Sequence, residues 1–148
     1  MGTGDFNILL ADDDEDDRMF FKDALDELSA PVSFNTVNNG VELMNFLESN
    51  VARLPDVLFL DLNMPRKTGF ECLSEIKQNG KLKRLPVIIY STSSNPEIMD
   101  LLYQTGAQHY IRKPADFSNL KIVIQKALSL SQQHKFLQPS KEKFLIQP

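Results

Sequence analysis

At 148 residues the chain has the length of one domain, and 42% apolar with 24% charged residues fits a globular core under a charged surface. A net charge of −4 argues against a broad phosphate-binding surface, so no direct nucleic-acid contact is expected. No apolar run approaches the ~20 residues that span a bilayer, the lone Cys72 excludes an internal disulfide, and acids arrive too early for a secretory leader. The myristoylation pattern fails at Phe6, and the expected setting is the reducing cytoplasm with no membrane partner.

In chain order, Ile8–Ala11 reads as a buried strand that stops at Asp12-Asp13-Asp14. A helix follows, with Phe21, Ala24, Leu25 and Leu28 on one face, Asp14 as N-cap, and Asp16 and Asp17 as solvated first-turn charges. Val32–Val37 is the second strand, and Gly40–Asn50 a helix whose apolar set is Leu43, Met44, Leu47 and Val51. The third strand, Val57–Asp61, is four apolar residues ended by a carboxylate, with Asn63, Pro65 and Gly69 beyond it. Phe70–Gln78 is a helix with Phe70, Leu73 and Ile76 inward, closed by Asn79-Gly80; Cys72 reads as a small apolar residue within it. Val87–Tyr90 is the fourth strand, Asn95–Gln104 a helix opened by Pro96 and stopped by Gly106, and Gln108–Ile111 the fifth strand. Asp116–Gln132 completes the pattern, with Phe117, Leu120, Ile124, Ala127 and Leu128 inward.

Five strands alternating with helices require right-handed crossovers and a sheet covered on both faces. The expected architecture is α/β, a doubly wound five-stranded parallel sheet of flavodoxin-like order. It is expected to fill residues 5–132, with 133–148 a C-terminal extension and no separate domain. Open sheets of this kind bind ligands outside the carboxyl ends of their strands. Asp12, Asp13, Asp61, Ser91 and Lys113 all fall at such ends. Several carboxylates in one crevice raise one another's pKa unless a cation sits among them, and oxygen donors in this number suit Mg²⁺. With a lysine and a hydroxyl alongside, the set is what phosphoryl transfer to a carboxylate requires.

Four segments, Ile8-Leu9-Leu10-Ala11-Asp12-Asp13-Asp14, Phe59-Leu60-Asp61-Leu62-Asn63-Met64-Pro65 with Gly69, Pro86-Val87-Ile88-Ile89-Tyr90-Ser91-Thr92 and Tyr110-Ile111-Arg112-Lys113-Pro114, together resemble the receiver domains of two-component response regulators. The resemblance implies Asp61 as phosphoacceptor, Asp13 and Asp61 as direct Mg²⁺ ligands, Asp12 through water, and the Asn63 carbonyl completing the protein's share. It also implies Ser91 as switch hydroxyl, Lys113 as the lysine facing the phosphoryl group, and Tyr110 as the rotameric aromatic. The loop from Asn63 to Glu71 and the short extension are similar to the small single-domain regulators that partner bacterial phytochromes.

The implied role is a signalling module, not an enzyme with its own substrate, which takes phosphate from a histidine kinase and acts on a downstream protein. A haloacid-dehalogenase-type phosphohydrolase is the rival, but Asp61-Leu62-Asn63 lacks that chemistry's second carboxylate. A docking module that never carries phosphate would be expected to have lost an acid or the lysine. The Lys113-Pro114 bond is expected to be cis, and His109 and His134 to be exposed bystanders. Apolar residues spread round the fourth helix (Ile98, Met99, Leu101, Leu102, Tyr103) and the last (Ile122, Val123, Leu130) point to a homodimer on that face. Phe136, Leu137, Phe144, Leu145 and Ile146 either extend that contact or fold back over their own domain.

Overall fold

A computed structural model describes residues 6–133 and 137–148. Strand β1 (Phe6–Ala11), helix α1 (Glu15–Leu28), β2 (Val32–Val37), α2 (Gly40–Ser49), β3 (Val57–Leu60), α3 (Gly69–Gln78), β4 (Val87–Ser91), α4 (Pro96–Thr105), β5 (His109–Arg112) and α5 (Phe117–Gln133) alternate as the periodicity predicts. A sixth strand, β6 (Leu145–Ile146), was not expected. All neighbours pair in parallel in the order β2-β1-β3-β4-β5-β6.

Side chains alternate across the sheet and build two cores. Leu9, Ala11, Leu58, Leu60, Val87 and Ile89 face α2, α3 and α4 through Leu43, Leu47, Cys72, Leu73, Ile76 and Leu102. Ile8, Leu10, Phe59, Ile88 and Ile111 face α1 and α5 through Phe21, Ala24, Leu25, Leu120 and Ile124. Strands buried on both sides must be apolar throughout, which is why each is a short unbroken hydrophobic run. Each fully buried Leu or Phe contributes about 1.5–3 kcal/mol of transfer free energy.

Phe70 and Val51 differ from expectation and stand partly exposed. The buried face of α3 is Gly69, Cys72, Leu73 and Ile76, at i, i+3, i+4 and i+7, and Phe70 lies off it. Val51 falls in a 3₁₀ turn (Val51–Arg53) beyond the end of α2, out of helical phase. His109 is buried, its Nδ1 3.2 Å from the Phe144 carbonyl, because the extension covers it.

That extension folds back over its own domain. The Tyr110 N–H donates to the Phe144 carbonyl at 3.0 Å, and Phe144 is buried edge-on against Tyr103, ring centres 5.2 Å apart. The Tyr103 hydroxyl donates to the Pro139 carbonyl at 2.7 Å, and Gln138 Nε2 to the carbonyls of Tyr103 and Ala107. β6 thereby covers the open edge of β5, a row of unpaired backbone groups in a five-stranded sheet. His134 and Phe136 lie outside the described residues. Among the described residues no helix is long and apolar enough to cross a membrane.

Candidate functional site

Register builds the pocket. Ala11 is paired with Leu60 across β1 and β3, so the next residues, Asp12 and Asp61, emerge side by side where both strands end. The Asp61 N–H donates to the Ala11 carbonyl at 2.9 Å and the Asp12 N–H to the Val37 carbonyl at 3.1 Å, extending the ladder to these acids. On the other flank Ser91 pairs with Arg112, and the Lys113 N–H donates to the Ser91 carbonyl at 2.8 Å. Four strands thus deliver Asp12, Asp61, Ser91 and Lys113 to one edge of the sheet.

Asp12 and Asp61 are buried and Asp13 is exposed, yet one carboxylate oxygen from each lies within 4.8 Å of the others. The Asp12 carboxylate accepts the Asp14 N–H at 3.0 Å, and the Asp61 carboxylate accepts the Asn63 N–H at 3.3 Å. Lys113 Nζ reaches in from β5, 2.9 Å from Asp12, 2.8 Å from Asp17 and 3.7 Å from Asp61. It also lies 5.2 Å from the centre of the Tyr90 ring.

Asp17 is the pocket residue that sequence reasoning missed. It was read as solvated first-turn charge, and the structure puts it against Lys113 across 96 positions of chain. The available signal was helical phase: a first-turn acid of α1, three residues after the cap Asp14, sits at the same sheet edge as the strand ends. The expected cis bond at Lys113-Pro114 is also corrected, since every described peptide bond is trans. Trans is the lower form of an X-Pro bond by about 0.5–1 kcal/mol, and the four-carbon lysine stem reaches the carboxylates without a reversal of the chain.

Burial pushes the Asp61 carboxyl up to about 7; Lys113 and the Asn63 N–H oppose this, and the charges of Asp12 and Asp13 add to it. Burial likewise raises Asp12, against the Asp14 N–H and Lys113. Burial disfavours the Lys113 ammonium, but its contacts with Asp17 and Asp12 outweigh that and hold it above the usual lysine range. One ammonium against four carboxylates leaves the pocket short of positive charge. Clustered hard oxygen donors of this kind suit a divalent cation such as Mg²⁺ or Mn²⁺.

Ser91 is fully buried at the end of β4, its Oγ accepting the Ser93 N–H at 3.2 Å. Tyr110 is fully buried too, and its hydroxyl donates to the Ser93 carbonyl at 2.8 Å. The ring implied to be rotameric is thus turned inward in this structure. Asn63 is exposed, and the Asp61–Gly69 loop that carries it is closed by a hydrogen bond from the Gly69 N–H to the Leu62 carbonyl at 3.0 Å. At Gly69 a Cβ would run into the Asp61 carbonyl, so only glycine lets α3 start this close to the strand end.

A doubly wound sheet with an acid cluster and a lysine at its carboxyl edge defines an α/β domain of the flavodoxin-like class. The family profile described as response regulator receiver domain matches residues 8–125, and the chain belongs to that family. Response regulator Rcp1 of Synechocystis sp. is 32% identical over 123 residues, covering 80% of this chain and 83% of Rcp1. The crystal structure of the phosphorylated cyanobacterial phytochrome response regulator RcpA superposes with a TM-score of 0.78 at 35% identity, over 92% of this chain and 99% of that one. The Mn²⁺-bound form of Rcp1 gives 0.76 at 28% identity, over 90% and 99%. A receiver domain is a signalling module, and the clustered acids and the lysine of this chain stand in that setting.

Proposed function

We propose that this chain is a single-domain response regulator that accepts a phosphoryl group on Asp61 from a histidine kinase in a Mg²⁺-dependent reaction. The observation that carries the reading is Asp61 itself, a buried carboxylate at a strand end, grouped with Asp12 and Asp13 and faced by Lys113 at 3.7 Å. The functional unit is residues 5–132 with 133–148 as its extension. The likeness to the phytochrome response regulator RcpA supports a phytochrome-like kinase as donor.

Asp61 acts as nucleophile: an Oδ attacks phosphorus as the donor imidazole leaves, and for this the carboxyl must be ionised. Asp13 and Asp61 would hold Mg²⁺ directly, Asp12 through water, with the Asn63 carbonyl completing the protein's share. The bound ion would neutralise charge on the transferring oxygens and favour ionised Asp61. Lys113 would give up part of its hold on Asp12 and Asp17 to meet a phosphoryl oxygen. Ser91 would contribute its hydroxyl to the same group and pull on Ser93, whose carbonyl holds Tyr110.

The signal leaves through protein contacts. The surface expected to pair as a homodimer is narrower than the sequence suggests, because Leu102 and Val123 turn inward and the extension covers the β5 edge. Ile98, Leu101 and Ile122 remain exposed on α4 and α5 and supply the apolar patch for a second copy or a target.

Incubation with acetyl phosphate and Mg²⁺ followed by intact mass tests the reading. One adduct of about 80 Da is expected, sensitive to hydroxylamine. It should be absent in EDTA and in Asp61→Asn, and strongly reduced in Asp13→Ala. Full labelling of Asp61→Asn would overturn the assignment.

A further inference from the structure

At the opposite edge of the sheet from the acidic pocket, a cleft of about 550 Å³ opens between the end of α3, the start of β4, the end of α4 and the returning extension. Lys77, in the last turn of α3, is half-buried in its wall. Its stem lies across Gly106, where a Cβ would stand 3.2 Å from Cγ, so the glycine that caps α4 also makes room for the lysine. Nζ donates to the Lys83 carbonyl at 3.1 Å and to the Leu85 carbonyl at 2.9 Å. Among the described residues no carboxylate pairs with it.

We propose that Lys77 is a nucleophilic amine and that the cleft around it is a modification site for a small acyl phosphate, which leaves Lys77 acylated. Two carbonyls are the acceptors that a neutral amine's two N–H groups need, and its lone pair remains for chemistry. An ammonium there has a third donor and no counter-ion. Burial accordingly lowers the Lys77 pKa to about 8, against the preference of a helix C-terminus for a cation. Among the described residues the other charged groups facing the cleft are Lys83 and Arg84 from the connection into β4. From the turn between α4 and β5 and the described part of the extension come Gly106, Gln108 and Gln138, none titratable. Two cations beside an uncharged nucleophile favour a donor whose leaving group is an anion, and they select a phosphate over a neutral ester.

The amine nitrogen attacks the acyl carbon and forms the N–C bond as the C–O bond to phosphate breaks. The bonding pair leaves with phosphate, which takes the proton shed by the amine, giving an amide and hydrogen phosphate. Nothing is oxidised or reduced. The inference does not depend on Asp61: an acyl phosphate is attacked at phosphorus there and at carbon here, and the two products differ in mass.

The test uses the full chain with acetyl phosphate in excess EDTA, which silences phosphorylation of Asp61, followed by peptide mass mapping of every lysine. An increment of about 42 Da should build at Lys77 at least about tenfold faster than at exposed Lys22 and Lys141, with half-maximal rate near pH 8. Inorganic phosphate should slow it, and Lys77→Arg, which has no neutral amine to offer, should remove it. Labelling of Lys77 no faster than of Lys22 would overturn the proposal. In a second arm, a neutral acetyl ester should show a smaller preference for Lys77, and Lys83→Gln with Arg84→Gln should reduce the preference seen with acetyl phosphate. Equal preference in both reagents would refute recognition of the phosphate.

Discussion

Lys113 is bound more closely to Asp17, at 2.8 Å, than to Asp61, at 3.7 Å. The lysine that should meet an incoming phosphoryl group is therefore held in part by a first-turn acid of α1. Asp17→Asn should free it and remove one negative charge from the approach of an anionic donor. Because the pair is partly solvated, the effect is worth about 1 kcal/mol or less. Initial phosphorylation by acetyl phosphate should quicken, by less than tenfold, with thermal stability little changed. A slower rate would show that Asp17 positions the lysine productively.

Asp61 makes the metal-free protein less stable as pH rises. Its carboxyl has a folded-state value of about 7 against an ordinary 3.8. Between those values the unfolded chain has released a proton that the folded chain retains. The stabilisation is complete below about pH 4 and is lost as pH climbs through 7. Asp61→Asn removes this and should stabilise the metal-free protein at pH 8 by roughly 1–3 kcal/mol in urea unfolding. Added Mg²⁺ should stabilise the wild type and do little for the variant, and its affinity should fall as pH drops below 7. Equal stability of the two proteins at pH 8 in EDTA would contradict the raised carboxyl.

Ser91 and Tyr110 hold the two polar backbone groups of Ser93, one at the N–H and the other at the carbonyl. A pull on the Ser91 hydroxyl is thereby transmitted to the tyrosine through one residue. Ser91→Ala should cost about 0.5–1.5 kcal/mol and still accept phosphate. The Tyr110 ring resonances, read by NMR, should then no longer respond to phosphorylation. An unaltered response would sever the link through Ser93.

Gly69→Ala should damage the pocket from behind, since its new methyl group meets the Asp61 carbonyl and the Leu62 Cα, both backbone. Neither can swing away as a side chain does, so the strand end or the start of α3 must move. A loss of about 1–3 kcal/mol is expected, with phosphorylation slowed even under fully folded conditions. Circular dichroism and the acetyl phosphate assay on the same sample separate the two effects.

The extension should contribute to stability well beyond its length. Phe144→Ala empties a buried site between Tyr103 and Tyr110 and should cost about 3 kcal/mol, within the usual range for a core aromatic. Urea unfolding at constant slope measures it. A loss under 0.5 kcal/mol would mean that the extension is not docked in solution.

The alternation of buried runs with amphipathic helices was legible without coordinates, because a strand covered on both faces must be apolar from end to end, as Val57–Leu60 and Val87–Ser91 are. The acids at the ends of β1 and β3 were equally legible. A carboxylate that breaks a hydrophobic run marks the point where the chain leaves the core. Local chemistry also foretold the cap Asp14, Pro96 in the first turn of α4 and the stop at Gly106.

What only the tertiary structure decided are contacts between residues distant in sequence. Asp17 reads as a solvated charge until α1 packs against α5 and comes within 2.8 Å of Lys113, just past the end of β5. The two-residue strand Leu145–Ile146 is too short for any period and gains its meaning from the open edge of β5. His109 is buried where that strand arrives, and Lys77 lies half-buried in a cleft that Gly106 and the extension help to line. Periodicity reports the environment a segment requires, whereas which partner supplies that environment is set by packing across the whole chain.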